Sequence, residues 1–266
     1  MRDLRGAVVA ITGASAGIGH ACALAFAREG ARLAVAARRV DRLDGIVTAA
    51  RAGGGEAMAS AVDVGVESEV LAFVTRVVAR FGRLDVLVNN AGFGVHGRVE
   101  DTPAHDFDRV MRVNYLGTVY GCQAAVPVMR RQGAGVIINV SSIVGHRALP
   151  GGSAYAASKA AQISLTESLR VELRGTGVAV CSVHPIGTRT EFHEVLTRES
   201  RGARIGTMGK VQSAEDVARA IVRCARRPRP EVYPYAPSRA LVWLNAVAPS
   251  VVDWLAEKGA RRAGRL

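Results

Sequence analysis

The stretch "AVVAITGASAGIGHACALAFAREG", residues 7–30, decides the fold. Its first six residues are mostly small and β-branched, which predicts a buried strand, and its last eleven have the spacing of an amphipathic helix. Between them Gly13, Gly17 and Gly19 form a tight turn, where backbone N–H groups could approach a pyrophosphate at the helix N-terminus. A glycine-rich turn without a ligand is the alternative, because this loop pattern alone is a weak signal.

The alternation of short apolar runs with helical stretches continues along the chain. Further strands are predicted at 32–37, 56–62, 84–90, 135–141, 178–184 and 231–235. Runs that are apolar on both faces are typical of a parallel sheet covered by helices on both sides. We therefore predict an α/β fold with a doubly wound parallel sheet, which binds ligands at the carboxyl ends of its strands.

No change of composition, linker or internal repeat divides the 266 residues, so a single domain is predicted over residues 1–236. Residues 187–213 are polar and rich in arginine and glycine, as expected of a lid over a substrate. Residues 237–266 form a helical tail that ends in basic residues. The last strand, at 231–235, closes the predicted domain.

The net charge of +12 does not by itself indicate a nucleic-acid partner. The basic residues are almost all arginines and are spread along the chain rather than clustered. Aromatic residues make up only 5%, which leaves few platforms for stacking bases. We predict that the protein does not bind nucleic acid.

The cysteine and histidine positions predict neither a disulfide framework nor a metal site. The four cysteines are far apart in sequence, and His96, His146 and His193 have no partner at ligand spacing. These histidines could line the cleft, but surface positions are the expectation. The first residues are too short and too glycine-rich for a signal peptide. Together these features predict a cytoplasmic protein without a metal.

The end of the second strand predicts the type of nucleotide. An acidic residue there would bind the 2′-hydroxyl of NAD, whereas this chain has Ala37 followed by Arg38 and Arg39. A guanidinium group matches the geometry and charge of a 2′-phosphate. Two solvated arginines are the alternative in so arginine-rich a chain. We predict NADP(H) in preference to NAD(H).

The stretch "YAASK" places Tyr155 and Lys159 one helical turn apart, on the same face of a predicted helix. An isolated pair of this kind is more often a surface feature than a catalytic one. Only its combination with other motifs gives it weight.

These motifs, in their order and spacing, resemble the short-chain dehydrogenase/reductase family in its compact single-domain branch. The resemblance covers roughly residues 5–235. The matching motifs are "TGASAGIG" (12–19), "DV" (63–64), "NNAG" (89–92), "VNYLGT" (113–118), "NVSSIVG" (139–145) and "YAASK" (155–159). It implies a Rossmann-type sheet of seven strands in the order 3-2-1-4-5-6-7.

The resemblance also implies a role for each catalytic candidate. Tyr155 would exchange a proton with the substrate oxygen, and Lys159 would lower the pKa of Tyr155 and hold the nicotinamide ribose. Ser142 would polarise the substrate oxygen. Asn114 would hold a water chain between Lys159 and solvent. Each residue could instead serve only structure: Ser142 as a strand end or cap, Asn114 as a bend in its helix.

The resemblance implies cofactor contacts in the motifs that follow the strands, at the carboxyl edge of the sheet. They are Gly13, Ser15, Gly17, Ile18, Gly19, Arg38, Arg39, Asp63, Val64, Asn90, Ala91, Gly92, Tyr155, Lys159, Pro185, Thr188 and Thr190. The stretch "HPIGTRTEF" departs from the family, because Ile186 stands where glycine is usual. The conformation of the turn on the nicotinamide side is therefore not predicted, although Thr190 keeps its spacing from Pro185.

The activity implied is a metal-free, NADP(H)-dependent carbonyl reductase or alcohol dehydrogenase acting on a small carbonyl or alcohol, possibly a hydrophobic one. A homodimer or homotetramer is expected. The alternative function is a sensor or scaffold that binds NADP(H) without chemistry.

In the tail, an apolar helical stripe is interrupted by Asn245, Pro249 and Asp253. Its members are Leu241, Leu244, Ala248, Val251 and Leu255. We expect this stripe to dock on the protein itself or on a second subunit, rather than on a membrane surface.

Overall fold

The computed structural model describes residues 3–200 and 210–262. Its strands are β1 (Val8–Thr12), β2 (Arg32–Ala37), β3 (Ala57–Ala61), β4 (Val86–Asn89), β5 (Gly135–Val140), β6 (Val178–Val183), β7 (Thr188–Arg189), β8 (Gln212–Ser213) and β9 (Glu231–Val232). Its α-helices are α1 (Gly17–Arg28), α2 (Asp44–Ala52), α3 (Glu67–Phe81), α4 (Ala104–Met111), α5 (Gly117–Gln132), α6 (Ser153–Glu172), α7 (Phe192–Glu199), α8 (Ala214–Arg226), α9 (Ser238–Val247) and α10 (Pro249–Arg262).

Seven strands form one parallel sheet in the order β3-β2-β1-β4-β5-β6-β9. Since β9 is the strand expected at 231–235, the predicted seven-stranded order and the α/β Rossmann-type fold are confirmed. The two additional strands, β7 and β8, pair with each other in a separate two-stranded sheet. Their two-residue length gives no periodic signal, which is why the sequence did not predict them.

Helices cover both faces of the sheet, as the doubly apolar strands require. On one face, Phe26 of α1 and Ile221 of α8 pack into a cluster with Ile11 of β1. On the other face, Phe73 of α3 and Met129 of α5 pack with the alternate residues of the strands. Because all strands run parallel, their carboxyl ends lie at one edge, where the glycine-rich loop begins.

The passage from α4 to α5 is continuous, through a π-helical turn at Arg112–Leu116. This turn contains Asn114, which is fully buried at 0% exposure. A π-helical turn widens the helix by one residue and often occurs at functional sites. A bend at Asn114 was one of the alternatives considered for this residue, but no residue pattern predicts a π-helical turn.

The predicted lid at 187–213 is only partly visible. It contains β7, α7 and β8, while residues 201–209 lie outside the described residues. The division between a domain at 1–236 and a tail at 237–266 stays a prediction.

The tail consists of α9 and α10, and it docks on the body of the protein. Asn245 donates to the carbonyl of His146 at 3.3 Å, and Arg147 pairs with Asp253. The face of α10 that meets the body carries Val252, Ala256 and Ala260, one position along from the predicted stripe, and docking of the stripe on a second subunit stays a prediction. Two members of the predicted stripe, Val251 and Leu255, are exposed at 48% and 45%.

Leu241 of α9 is also exposed, at 39%, although it borders the cavity described below. Among the described helices, none combines the length and the apolar character that crossing a bilayer requires.

Candidate active site

A cavity of about 1010 Å³ opens at the carboxyl edge of the sheet. The predicted site residues that line it are Gly13, Ser15, Gly17, Ile18, Arg38, Arg39, Asp63, Val64, Asn90, Ala91, Gly92, Ser142, Tyr155, Lys159, Pro185, Thr188 and Thr190. Two predicted residues, Gly19 and Asn114, lie behind this lining. The structure thus gathers at one cavity nearly all the positions that the motifs indicate.

The glycine-rich loop has no room for side chains. Gly13 and Gly17 have φ angles of 68° and 55°, in the left-handed region. A Cβ on Gly13 would lie 2.7 Å from the Cα of Ala91, and one on Gly17 would lie 2.9 Å from Cβ of Thr190. A Cβ on Gly19 would collide with the carbonyl of Gly13, so Gly19 serves the packing of the loop. The loop leaves its backbone amides accessible to an anion at the start of α1.

Asn90 holds the loop in place. Its Nδ2 donates to the carbonyls of Thr12 and Gly13 at 3.0 and 3.2 Å, and its backbone N–H donates to Oγ1 of Thr12 at 3.1 Å. The side chain predicted as a cofactor contact is therefore committed to the protein itself, while the residue still borders the cavity.

Asp63 and Val64 line the cavity after β3. Oδ1 of Asp63 accepts from the N–H of Gly65 at 2.9 Å, which fixes the turn, and its own N–H donates to Glu69 at 2.7 Å. A Cβ on Gly117 would lie 2.9 Å from the carbonyl of Val64, so α5 approaches this turn closely. Local bonds thus orient the segment predicted to meet the adenine.

The arginines at the end of β2 meet an acidic residue that the sequence did not single out. Arg39 Nη2 lies 3.2 Å from Glu191 Oε2 and 3.4 Å from Ser15 Oγ, and Arg42 Nη1 lies 2.7 Å from Glu191 Oε1. Desolvation opposes ionisation, but the hydrogen bonds and charges of the two arginines lower the pKa of Glu191. Arg38 borders the cavity and makes no ion pair within the described part of the chain.

Ser142 and Tyr155 face the cavity from β5 and α6. Ser142 Oγ lies 3.4 Å from the carbonyl of Pro185, to which it donates, and accepts from the N–H of Val144 at 3.4 Å. Burial raises the pKa of Tyr155 to about 12, and a hydrogen bond with Ser142 opposes this shift. The ring of Tyr155 also packs against Phe192 of α7, with 5.3 Å between centroids.

Lys159 lies beneath Tyr155 with 3% exposure. Its Nζ donates to the carbonyl of Val140 and to Oε1 of Gln162, both at 2.9 Å. Burial lowers the pKa of Lys159 to about 7. Nζ of Lys159 lies 5.6 Å from the ring centroid of Tyr155, and desolvation is the main cause of the pKa shift of both groups. The expectation that Lys159 lowers the pKa of Tyr155 stays a prediction.

Asn114 is held on all sides. Its Nδ2 donates to the carbonyl of Phe93 at 2.8 Å and to Oγ of Ser158 at 2.9 Å, while its Oδ1 accepts from the N–H of Phe93 at 3.0 Å. Its backbone carbonyl accepts from Gln162 Nε2 at 2.8 Å.

Gln162 links Asn114 to Lys159 directly, while the water chain expected at Asn114 stays a prediction. Its side chain runs from the Asn114 carbonyl to Lys159, and Nε2 also lies 2.6 Å from Oγ1 of Thr118. We call the set of Asn114, Thr118, Ser158, Lys159 and Gln162 the Lys159 network. Gln162 follows Lys159 by three residues in the sequence, but no residue pattern indicates that a glutamine at this position is functional.

The turn containing Ile186 is closed by two threonines. Oγ1 of Thr188 donates to the carbonyl of Ile186 at 2.8 Å and accepts from Gln212 Nε2 at 3.2 Å. Oγ1 of Thr190 accepts from the N–H of Phe192 at 3.2 Å, at the start of α7. Ile186 is thus accommodated in a turn that keeps Thr188 and Thr190 at the cavity.

The remaining wall of the cavity is mainly apolar. It comes from the turn after β5, from α7 and from the start of α9, and its members include Phe93, Val144, Leu149, Phe192, Val195, Leu196 and Leu241. His96 and His193 also border the cavity. The predicted lid and the tail therefore both contribute to this wall.

His146 is not the surface residue that was expected. It is half-buried, and one ligand atom from each of His146, His184 and Glu231 lies within 4.8 Å of the others. Tyr233 completes the group, with its hydroxyl 3.3 Å from Nε2 of His146 and donating to Oε2 of Glu231 at 3.1 Å. We call these four residues the His184 cluster. Sequence spacing could not show it, because its residues come from three separate segments.

Comparison with known proteins agrees with this geometry. A family model described as short chain dehydrogenase matches residues 7–201. The chain is 39% identical over 261 residues to "Probable oxidoreductase EphD" of Mycobacterium tuberculosis, covering 92% of this chain and 44% of that protein. This chain therefore spans less than half the length of that relative. It is 34% identical over 263 residues to "Uncharacterized oxidoreductase YxnA" of Bacillus subtilis, covering 97% and 73%.

Solved structures show the same architecture. A short chain dehydrogenase/reductase from Burkholderia phymatum in complex with NAD aligns with a TM-score of 0.85 and 28% identity, over 94% of this chain and 96% of that one. An alcohol dehydrogenase from the archaeon Thermococcus sibiricus, complexed with 5-hydroxy-NADP, aligns with a TM-score of 0.76 and 31% identity, over 85% and 95%.

Proposed function

The chain belongs to the short-chain dehydrogenase/reductase family, and on that premise we propose that it is an NADP(H)-dependent oxidoreductase that interconverts a carbonyl and an alcohol. The single observation that carries the proposal is the convergence of Ser142, Tyr155 and Lys159 on one cavity with the glycine-rich loop. Each group can then reach a substrate while the loop holds the nucleotide.

The chain's residues divide the chemistry as follows. The bound cofactor supplies or accepts the hydride. Tyr155, whose pKa is raised to about 12, is protonated at neutral pH and donates its proton to the carbonyl oxygen during reduction. Ser142 donates a hydrogen bond to the same oxygen. Lys159 has two of its N–H groups on protein acceptors and directs the third toward the cavity, where it holds the nicotinamide ribose.

Cofactor preference follows from the end of β2. No acidic residue follows Ala37 directly, and the guanidinium groups of Arg38 and Arg39 border the cavity. These groups favour a 2′-phosphate over a 2′-hydroxyl, so NADP(H) is the proposed cofactor.

The apolar wall supports a bulky, hydrophobic carbonyl or alcohol as substrate. Phe93, Phe192 and Leu196 offer a large apolar surface to the part of a substrate that contacts them. A homodimer or homotetramer in a reducing cytoplasm stays part of the proposal, in keeping with four buried cysteine thiols.

The reaction is tested by the substitution Tyr155→Phe. We expect turnover of a panel of apolar ketones to fall by about 10²–10⁴-fold, because the proton donor is lost, while NADPH binding measured by fluorescence is retained. Full turnover in the variant would refute the mechanism. Tight NADPH binding by the wild type with no turnover of any carbonyl or alcohol would instead favour the sensor.

Cofactor preference is tested by Arg38→Ala and Arg39→Ala. The dissociation constant for NADPH is expected to rise about tenfold or more in at least one variant, with little change for NADH. Equal losses for the two cofactors would remove the proposed 2′-phosphate site. Arg51→Ala, on the exposed side of α2, is a matched control.

A further inference from the structure

We propose that His146, His184 and Glu231 form a binding site for a first-row transition-metal dication of the Zn²⁺ type. The three residues come from different segments: the turn after β5, the end of β6, and β9. The parallel pairing of β6 with β9 brings two of them together, since His184 donates its backbone N–H to Val232 at 2.8 Å. The proposal does not depend on the proposed reaction.

The burial of His184 without a hydrogen-bond partner for its ring is the main support for this site. Its side chain has 0% exposure, and neither ring nitrogen has a hydrogen-bond partner among the described residues. The backbone of Ser142 lies near enough to favour the charged form, but without the geometry of a full hydrogen bond. Leaving a buried polar atom without a partner is unfavourable, so such an atom calls for a group that satisfies it.

The surroundings of His184 supply the other ligands of a metal site. The ring of His146 lies 4.5 Å away between centroids, and Nε2 of His184 lies 3.9 Å from Oε1 of Glu231. Metal–ligand distances of about 2.0–2.2 Å place ligand atoms roughly 3.3 Å apart, so modest side-chain rotations close the site. The Glu231 side chain is 32% exposed, which provides an entry path and room for a water ligand.

The donor set selects the kind of metal. Two imidazoles and one carboxylate suit Zn²⁺ and its neighbours, whereas Mg²⁺ and Ca²⁺ prefer oxygen ligands alone. Each histidine would bind the ion through a ring nitrogen of its neutral imidazole, and the ring nitrogens of His184 have no other hydrogen-bond partner among the described residues.

Tyr233 acts as a competitor for the same atoms. Its hydroxyl bonds to His146 at 3.3 Å and to Glu231 at 3.1 Å, and both bonds must open when a metal enters. Its ring stacks on His184 at 4.9 Å between centroids, and a phenylalanine would keep this stacking. Tyr233→Phe is therefore expected to bind Zn²⁺ at least as tightly as the wild type.

The test is titration of the full-length, chelator-treated protein with Zn²⁺, followed by calorimetry, and with Co²⁺, followed by visible absorption. We expect one ion per chain, a Co²⁺ spectrum of a tetrahedral nitrogen and oxygen site without thiolate charge transfer, and no competition by Mg²⁺. His146→Gln and Glu231→Gln are expected to weaken binding at least about tenfold. Both positions are partly exposed, so these variants avoid the risk to folding that His184→Gln carries.

His105→Gln is the matched control, because His105 is exposed and lies beside Asp106 on α4. It should bind Zn²⁺ like the wild type. Absence of stoichiometric binding, or unchanged binding in both His146→Gln and Glu231→Gln, would overturn the proposal. Loss of binding in Tyr233→Phe equal to that in His146→Gln would overturn the assignment of Tyr233 as a competitor.

Discussion

The Lys159 network and the His184 cluster are both groups of buried polar side chains. They lie close along the chain, because Val140, whose carbonyl accepts from Lys159, is six residues before His146. In the Lys159 network, the side-chain nitrogens and oxygens of Asn114 and Gln162 all have protein partners at 2.6–3.0 Å. In the His184 cluster, both ring nitrogens of the most buried residue lack one within the described chain.

This difference in hydrogen bonding indicates two different roles for buried polar side chains. A network whose bonds are complete fixes the positions of its members and can hold a buried cation such as Lys159. A cluster whose most buried ring has no partner for either nitrogen, and whose neighbours are metal-ligating groups, leaves those nitrogens available to a ligand. Substitutions in the Lys159 network and at the cavity test whether complete hydrogen bonding has this positioning role.

The largest effect is expected when the Lys159 network loses Gln162. Gln162→Leu removes the acceptor of Lys159 and the donor to the Asn114 carbonyl, so chemical denaturation should show a free energy of unfolding lower by about 1–3 kcal/mol. Gln162→Glu places a carboxylate beside Lys159, so the pKa of Lys159 should rise above about 7. The step of the pH–rate profile that reports Lys159 should then move to higher pH.

Gln123→Leu, at an exposed position of α5, is the control for these changes. If the Gln162→Leu protein had wild-type stability and Gln162→Glu an unchanged pH–rate profile, Gln162 would have no part in positioning Lys159.

A smaller effect concerns the pH dependence of stability. The pKa of Lys159 falls from an ordinary 10.5 to about 7, so between these values the unfolded chain binds more protons than the folded one. The free energy of unfolding should therefore rise with pH above about 7, by at most about 1.4 kcal/mol per pH unit. The rise should level off near pH 9, the ordinary pKa of a thiol, because the pKa values of Cys22, Cys122 and Cys181 are raised in the folded chain. Tyr155 works in the opposite direction only above its ordinary pKa of 10.0.

Urea denaturation at pH 7 and pH 9 measures this slope, and Lys159→Met should lose it. Lys258→Met, in the exposed part of the tail, should keep it. The same slope in Lys159→Met would show that Lys159 is not the group responsible.

The smallest effect is expected at the exposed end of the cavity, where Glu191 bridges Arg39 and Arg42. Solvent-exposed pairs contribute little, and Glu191→Gln removes a competitor of the 2′-phosphate, so NADPH should bind about two- to fivefold more tightly, with NADH unchanged. Fluorescence titration measures both constants, with Glu194→Gln on the same helix as the control. Weaker NADPH binding in Glu191→Gln would reverse the assigned role.

Much of the fold could be predicted from the sequence, because the strands are apolar on both faces and each is bounded by a turn signal. The catalytic candidates could be found because they lie in local motifs. Contacts between distant segments could not: Glu191 is far in sequence from Arg42, and His184 from His146. The upward shift in the pKa of Tyr155 could not be predicted either, because the burial that causes it is not visible in residue order.

The side of α10 that meets the body could not be predicted for a related reason, since an interrupted stripe does not reveal it. The result has a practical consequence for spectroscopy. Both tryptophans of the chain lie in the tail, Trp243 at 63% exposure and Trp254 at 56%. Intrinsic tryptophan emission therefore reports the environment of α9 and α10, and a melting curve recorded in this way follows the tail, whereas far-ultraviolet circular dichroism follows the sheet and its helices.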